Sequence, residues 1–400
     1  MDKENMMFRF KLLTVCSLSL LLFGAVLIGV GGCHPASPVT TPTVSFRFVV
    51  TDDSRASGGG ATSPNPHGGS GYGRSNLVQN NGVSTLVMAT IATDIVAQNA
   101  KKKVDFVLFP GDMITGEEQD SNHLSSEMDS WKSIMSPVYG AGIPIHTTRG
   151  NHEYASASTV GARNQADPGL ATYKAHFPLT TGFLSPGGVE NGLTYSFIHK
   201  NAKFIAMDNY ANRTANFSNK LYAPGSNSGQ MVNSWVLDQV NNSNAGITFV
   251  MGHEQMWPSR SHPDCLANDP DSRDLLLHAL AKHNGTYLAG HDHMYLRGIM
   301  TNGADKVPAF VVGAGGAGNY TYGAFDVVAA GYTGASTYDV RKSISDSSNP
   351  TFGYLLVTVY SDNSWSGEFR GFRFNNWNSA TDVSLTPVTV MDSFNSANLY

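Results

Sequence analysis

Five short apolar runs, each ending in a loop of ligand-type side chains, constrain this chain more than any other feature. Phe46 to Val50 leads into Asp52-Asp53-Ser54-Arg55, and Val104 to Pro110 leads into Gly111-Asp112. Ile143-Pro144-Ile145 precedes Arg149-Gly150-Asn151-His152-Glu153, Ile247 to Met251 precedes Gly252-His253, and Tyr287-Leu288-Ala289 precedes Gly290-His291-Asp292-His293. Runs this short and this apolar read as buried strands. Strand ends are where α/β sheets gather active-site side chains, so the pattern predicts an α/β fold with one polar site built from five loops.

The intervening segments support this. Residues 83 to 99 place Leu86, Val87, Ile91, Ile95 and Val96 at helical spacing. Strand, helix and strand in that order imply a β-α-β unit with a parallel pair. Helices are expected at 128–138, 230–240 and 273–283. Strand pairs are expected at 193–199 with 202–207 and at 354–360 with 365–372, and a further strand at 307–312. The glycines at 313–318 lack a following Lys-Ser or Lys-Thr pair and do not make a nucleotide loop. The Gly/Ser/Pro-rich stretch 56–75 reads as a long loop beside the first acidic cluster. Residues 154–192, with Tyr173, His176, Phe177 and Phe183, read as irregular and as one wall of a substrate cleft. No linker divides 45–372, which is taken as one domain; 373–400 is expected to be a polar C-terminal tail.

Of 400 residues, 41% are hydrophobic and 14% charged, enough for a sizeable core and too few charges for a coiled coil. The formal net charge is -5 and no Lys/Arg block is present, which argues against sequence-specific nucleic-acid recognition. Of the three cysteines, only Cys265 lies in the body, so no internal disulfide framework forms there. Lys3, Arg9 and Lys11 precede an apolar run from Leu12 to Val30, then Gly31-Gly32-Cys33. This layout is that of a signal peptide (1–32), with Cys33 resembling the lipidated cysteine of a bacterial lipoprotein and 33–44 forming a tether. An uncleaved anchor and an ordinary cleaved signal are the other readings. Each exports the body, toward a bacterial cell envelope in the lipoprotein case.

Carboxylate, amide oxygen and neutral imidazole together suit hard or borderline cations. The candidate ligands are Asp53, Asp112, Asn151, His253, His291 and His293, with Asp112 as the bridge. A bridging carboxylate holds two cations about 3.5–4 Å apart, the spacing used in two-metal hydrolysis. His152 follows Asn151, and adjacent side chains diverge, so it falls on the substrate side as a proton donor or phosphate contact. Glu153 is expected to hold its imidazole tautomer from behind. Arg149 is read as structural or near the rim.

These motifs resemble the calcineurin-like metallophosphoesterase superfamily, which includes the purple acid phosphatases. The pattern Gly-Asp, Gly-Asn-His-Glu, strand-end Gly-His and Gly-His-x-His stands at Gly111-Asp112, Gly150 to Glu153, Gly252-His253 and Gly290 to His293. The resemblance covers about 45–372. It implies a four-layer α/β/β/α sandwich with two mixed sheets and two divalent or trivalent ions (manganese, iron or zinc). It places Asp53, Asp112 and His293 on the first, and Asp112, Asn151, His253 and His291 on the second. It makes His152 the catalytic histidine and a small phosphate ester the substrate.

The first motif departs from the family pattern. With Asp53 in the aspartate position, Arg55 stands where histidine is expected; with Asp52 there, Ser54 does. The Asp53 register is preferred, and Arg55 then becomes a candidate partner of phosphate or carboxylate. Asp52 is a spare carboxylate that could partly compensate. A purple acid phosphatase carries tyrosine three residues after the bridging aspartate; Thr115 stands there, which argues against a purple iron centre. The alternatives are a catalytically weak surface lipoprotein that binds metal, phosphate or a partner, and a structural or adhesive exported protein.

Overall fold

The computed structural model describes residues 41–56, 81–116, 121–153, 168–210, 234–257, 265–318, 336–377, 379 and 382–399. The 1–32 leader, Cys33, the 56–75 loop beyond residue 56 and the 154–167 segment lie outside them. Residues 42–400 form one unit. Among the described residues, no helix is long and apolar enough to cross a membrane.

Two mixed sheets make the frame. In the first, β1 (Val44–Val50), β2 (Phe106–Phe109) and β3 (Ile145–Thr147) run parallel. β11 (Thr351–Tyr360), β12 (Trp365–Arg373) and β13 (Thr389–Asn395) extend it antiparallel, in the order β13-β12-β11-β1-β2-β3. The second sheet has the order β10-β8-β9-β7-β6-β5-β4. Its strands are β4 (Tyr195–His199), β5 (Ala202–Met207), β6 (Ile247–Gly252), β7 (Gly285–Ala289), β8 (Tyr295–Asn302), β9 (Asp305–Val312) and β10 (Thr337–Ile344). Its centre, β5-β6-β7-β9, is parallel.

The two-residue alternation of a strand explains the layering. Phe46, Phe48 and Val50 of β1 and Phe106 and Leu108 of β2 face the second sheet, where they meet Phe204, Phe249, Leu288 and Phe310. Their neighbours Val49, Val107 and Phe109 point the other way. They pack on α1 (Thr85–Lys101), α2 (Ser121–Ile134) and α3 (Ser136–Gly140) through Val87, Ile91, Leu124, Trp131 and Val138. On the far side, Ile205, Val250 and Tyr287 pack on α5 (Ser234–Asn241) and α6 (Pro270–Lys282) through Val236, Leu276 and Leu280. The layers are therefore α/β/β/α, and fully buried strands on both faces explain why the runs are uniformly apolar. Each such Phe, Leu or Val stabilises the fold by about 1.5–3 kcal/mol relative to exposure.

Two helices show how local sequence sets their position. In α6, Asp269 accepts from Ser272 N at 3.2 Å and Pro270 opens the first turn. α1 has no side-chain cap of its own; Ser84 donates to Gly316 O at 2.7 Å and its N–H bonds Ser54 O at 2.8 Å. Those two bonds tie the helix start to the Asp52–Arg55 loop and to the glycine run at 313–318.

Three expectations are corrected. The 373–400 tail is not merely a polar extension: residues 389–395 form edge strand β13. The helix expected over 128–138 starts at Ser121 and ends at Ile134, with α3 following. Within 154–192, residues 168–176 form α4 (Pro168–His176). His176, Phe177 and Phe183 do line a cavity, of about 320 Å³, with Ile145, His146, Thr147 and Lys132. No candidate ligand lines it among the described residues, and Tyr173 is buried with its hydroxyl 2.7 Å from Thr147 Oγ1.

Candidate metal centre

The polar loops following β1, β2, β3, β6 and β7 converge. Asp53, Asp112 and His293 form one buried group of ligand atoms within 4.8 Å of one another, and Asp112, His253 and His291 form a second. Asp112 belongs to both. Its two oxygens face different sides: Oδ1 lies 3.3 Å from His253 Nε2, while Oδ2 lies 3.4 Å from Arg55 Nε and 3.7 Å from His152 Nε2. His291 Nδ1 is 3.2 Å from His253 Nε2, and His293 Nε2 is 3.7 Å from Asp53 Oδ1.

The backbone is bent to bring these groups inward. Asp53, Asp112 and His291 have φ of 59°, 47° and 68°, in the left-handed region that L residues seldom occupy. Strain held at three candidate ligands, each in its own loop, marks a site whose geometry the surrounding fold imposes. Glycine makes room for it. A Cβ at Gly150 would collide with the Asp112 carboxylate, and one at Gly290 with the Asp52 carboxylate.

Glu153 departs from its expected role. Its Oε2 accepts from Asp112 N at 2.9 Å and Gly150 N at 2.8 Å, and its Oε1 from Met113 N at 2.7 Å and Ile114 N at 3.2 Å. It thus clamps the Asp112 loop to the Asn151 loop rather than orienting His152. Burial and the nearby Asp112 push its carboxyl up to about 8, against the pull of these backbone donors. The orienting partner of His152 is the Thr115 carbonyl, which accepts from Nδ1 and leaves Nε2 turned toward Asp112. Sequence had no signal for this, because the partner is a backbone atom.

Asp52 is likewise not a spare ligand. Fully buried, its Oδ2 accepts from His253 Nδ1 at 3.1 Å, so His253 Nε2 is aimed at Asp112. Carboxylate, imidazole and cation in line is the arrangement that fixes a ligand's tautomer and ring orientation. Asp292, between the two histidines, accepts from Gln255 Nε2 at 2.7 Å and braces its loop. Arg149 is fully buried and pairs with Asp208 at 2.7 Å, a structural role.

Electrostatics test whether cations fit here. Burial raises Asp52 to about 6, and burial with the charge of Asp52 pushes Asp53 well above the carboxylate range. Burial also acts upward on Asp112, but His152, His253 and Arg55 outweigh it and hold that carboxyl well below its ordinary value. Burial alone would lower the His253 imidazole; Asp112 and Asp52 hold it well above its usual value. Both Asp53 oxygens and Asn151 Oδ1 are buried without a hydrogen-bond donor. Carboxylates packed this closely in the dark of the protein, facing three imidazoles and an undonated amide oxygen, are a donor set that suits a pair of hard or borderline cations.

Residues 88–295 match the family model described as Calcineurin-like phosphoesterase. All the clusters except the first, at 52–55, fall inside that match. In structure the chain is similar to a purple acid phosphatase isolated from yellow lupin (Lupinus luteus) seeds, at 17% identity and a TM-score of 0.54, covering 89% of this chain and 54% of that one. It is also similar to PhoD, at 14% identity and a TM-score of 0.55, covering 89% and 70%. The chain spans about half the length of the lupin protein. At these identities the likeness is one of fold. No curated protein matches the sequence.

Proposed function

Because the chain belongs to the calcineurin-like phosphoesterase family, we propose that it is a metal-dependent phosphoesterase acting on a small phosphate monoester or diester. The observation that carries this is the pair of buried triads sharing Asp112. Asp53, Asp112 and His293 would hold one cation. Asp112, His253, His291 and the amide oxygen of Asn151 would hold the other. Two such ions supply a water of lowered pKa and screen charge developing on phosphate oxygens.

The chain's own groups account for the remaining steps. Water oxygen bonds to phosphorus as the ester oxygen leaves, and that oxygen needs a proton. His152 is held by the Thr115 carbonyl through Nδ1, with Nε2 3.7 Å from Asp112 Oδ2. When protonated it can donate from Nε2 to the departing oxygen. Glu153 holds the Asp112 main chain, and His152 N donates to Asp112 Oδ1 at 3.1 Å, which would keep the carboxylate in place between two ions. Arg55, 15% exposed in its side chain, stands at the rim of the first triad within reach of a phosphate oxygen.

The chain is further read as an exported protein anchored through lipid on Cys33. The basic start, the apolar run and Gly31-Gly32-Cys33 support that reading. The intact mass of membrane-extracted protein tests it: a lipid-modified chain starting at Cys33 is expected, and an unmodified chain starting elsewhere defeats it.

The activity is tested by loading the full chain with manganese, zinc or iron and following hydrolysis of a generic phosphate monoester and a matched diester. Metal-dependent turnover is expected, with Asp112→Asn at least about a hundredfold slower, the scale of losing a group central to charge stabilisation. Turnover that survives the substitution, or that needs no metal, contradicts the reading.

A further inference from the structure

The first site already has a cation of the protein's own lying on it. Arg55 Nη2 is 3.3 Å from His293 Nε2, and Arg55 Nε is 3.4 Å from Asp112 Oδ2. Two of the three residues in the Asp53–Asp112–His293 triad therefore meet the guanidinium, and His293 does so through the nitrogen that lies 3.7 Å from Asp53 Oδ1. In the second triad, His253 approaches the other oxygen of the shared Asp112, Oδ1, at 3.3 Å. Arg55 also stands where the family pattern resembled by this chain has histidine.

The Arg55 main chain is fixed while its side chain has somewhere to go. Its N–H bonds Asp112 O at 3.1 Å, and it forms a bridge with Val83. Its side chain is 15% exposed, whereas Asp112 and His293 are all but closed off. A guanidinium keeps its charge at any working pH and cannot act as a metal ligand, so it and a metal ion compete for the same oxygen and nitrogen. Turned toward solvent, the fork would offer a flat array of donors that matches two phosphate oxygens.

We propose that Arg55 is an internal competitor for the first metal site, so that loading is sequential: the His253–His291 site fills first, and the Asp53–His293 site fills when phosphate draws the guanidinium away. This rests on the two-cation reading above. It makes the second metal a partner of the substrate rather than a permanent resident.

Manganese(II) titration of the full chain, stripped of metal and kept in detergent, reads this by calorimetry, with bound metal counted by elemental analysis. Two steps are expected, the second weaker by about tenfold or more, the scale on which groups adjoining ligands alter metal affinity. Inorganic phosphate should strengthen the second step and leave the first in place. Arg55→Gln should bring the second step to within a fewfold of the first and abolish the effect of phosphate. Arg55→Lys, which keeps a charge on a flexible stem, should retain a weak second step.

Two equal steps in the wild type, insensitive to phosphate, would overturn the proposal without recourse to any variant. So would a second step in a folded Arg55→Gln that is as weak as, or weaker than, the wild type's. Asp112→Asn distinguishes the premise: if it binds both equivalents as the wild type does, or if the wild type binds none, the two-cation reading fails and this inference with it.

Discussion

At the scale of single residues, the centre depends on groups outside the candidate ligand set. Asp52 orients His253, Glu153 joins two loops, and the Thr115 carbonyl sets the tautomer of His152. Asp52→Asn keeps the volume but weakens the charge behind the imidazole. It should lower affinity for the first-bound metal by roughly 10–100-fold, as read by metal titration, with little change in melting temperature. Glu153→Ala leaves four backbone N–H groups without their acceptor. Chemical denaturation should show a loss of about 3 kcal/mol together with weakened binding of both metals. A Glu153→Ala protein with wild-type stability would show that the clamp is not what holds the loops. The sequence exposed the ligand types and their spacing, because histidine and aspartate at strand ends stand out against apolar runs. It did not expose which carboxylate binds and which supports. Asp52 and Asp53 are neighbours of the same chemistry, and Asp53 takes a positive φ of 59° that the sequence does not reveal.

At the scale of elements, legibility tracked burial. β1, β2, β6 and β7 lie between two layers, so each is a near-continuous apolar run and each was readable. β8 was missed because Arg297 and Gly298 interrupt it; Gly298 is there because a Cβ would strike the Tyr338 ring of β10. β13 was missed because an edge strand buries little, and Val390 is 47% exposed. Phe394, stacked 5.3 Å from the Phe310 ring, and polar contacts both hold it. Asp392 of β13 accepts from Arg297 Nε at 2.8 Å, Arg297 Nη2 at 3.2 Å and Tyr295 OH at 2.9 Å, tying one sheet to the other. Asp392→Ala removes the shared acceptor from two largely enclosed donors, and should cost about 2 kcal/mol in denaturant unfolding. An unchanged midpoint would mean that β13 is held by its ladder with β12 and the packing of Phe394 without these polar contacts.

At the scale of the whole molecule, an aromatic interior joins the sheets and carries a pH signature. His146 of β3 lies 4.9 Å from the Phe197 ring, 5.0 Å from Phe183 and 5.6 Å from Phe106. Burial, helped by His199, lowers its pKa from 6.5 to about 4. The unfolded chain therefore takes up a proton that the folded chain refuses between those values. This contribution is intact above pH 6.5 and is lost as the pH falls toward 4, by about 3 kcal/mol in all. His146→Phe should flatten the acid limb of stability by about that amount; parallel pH curves for the two proteins would disprove it. The same sheet-on-sheet packing brings five loops from two sheets to one place, and so makes the Asp112 bridge possible.

The most direct test of that bridge is anomalous scattering from a crystal of the metal-loaded protein with phosphate. The account predicts two peaks about 3.5–4 Å apart, with the Asp112 carboxylate between them, Asp53 and His293 on one side, and His253 and His291 on the other. A lone peak not touching Asp112, or two ions that share no ligand, would contradict it.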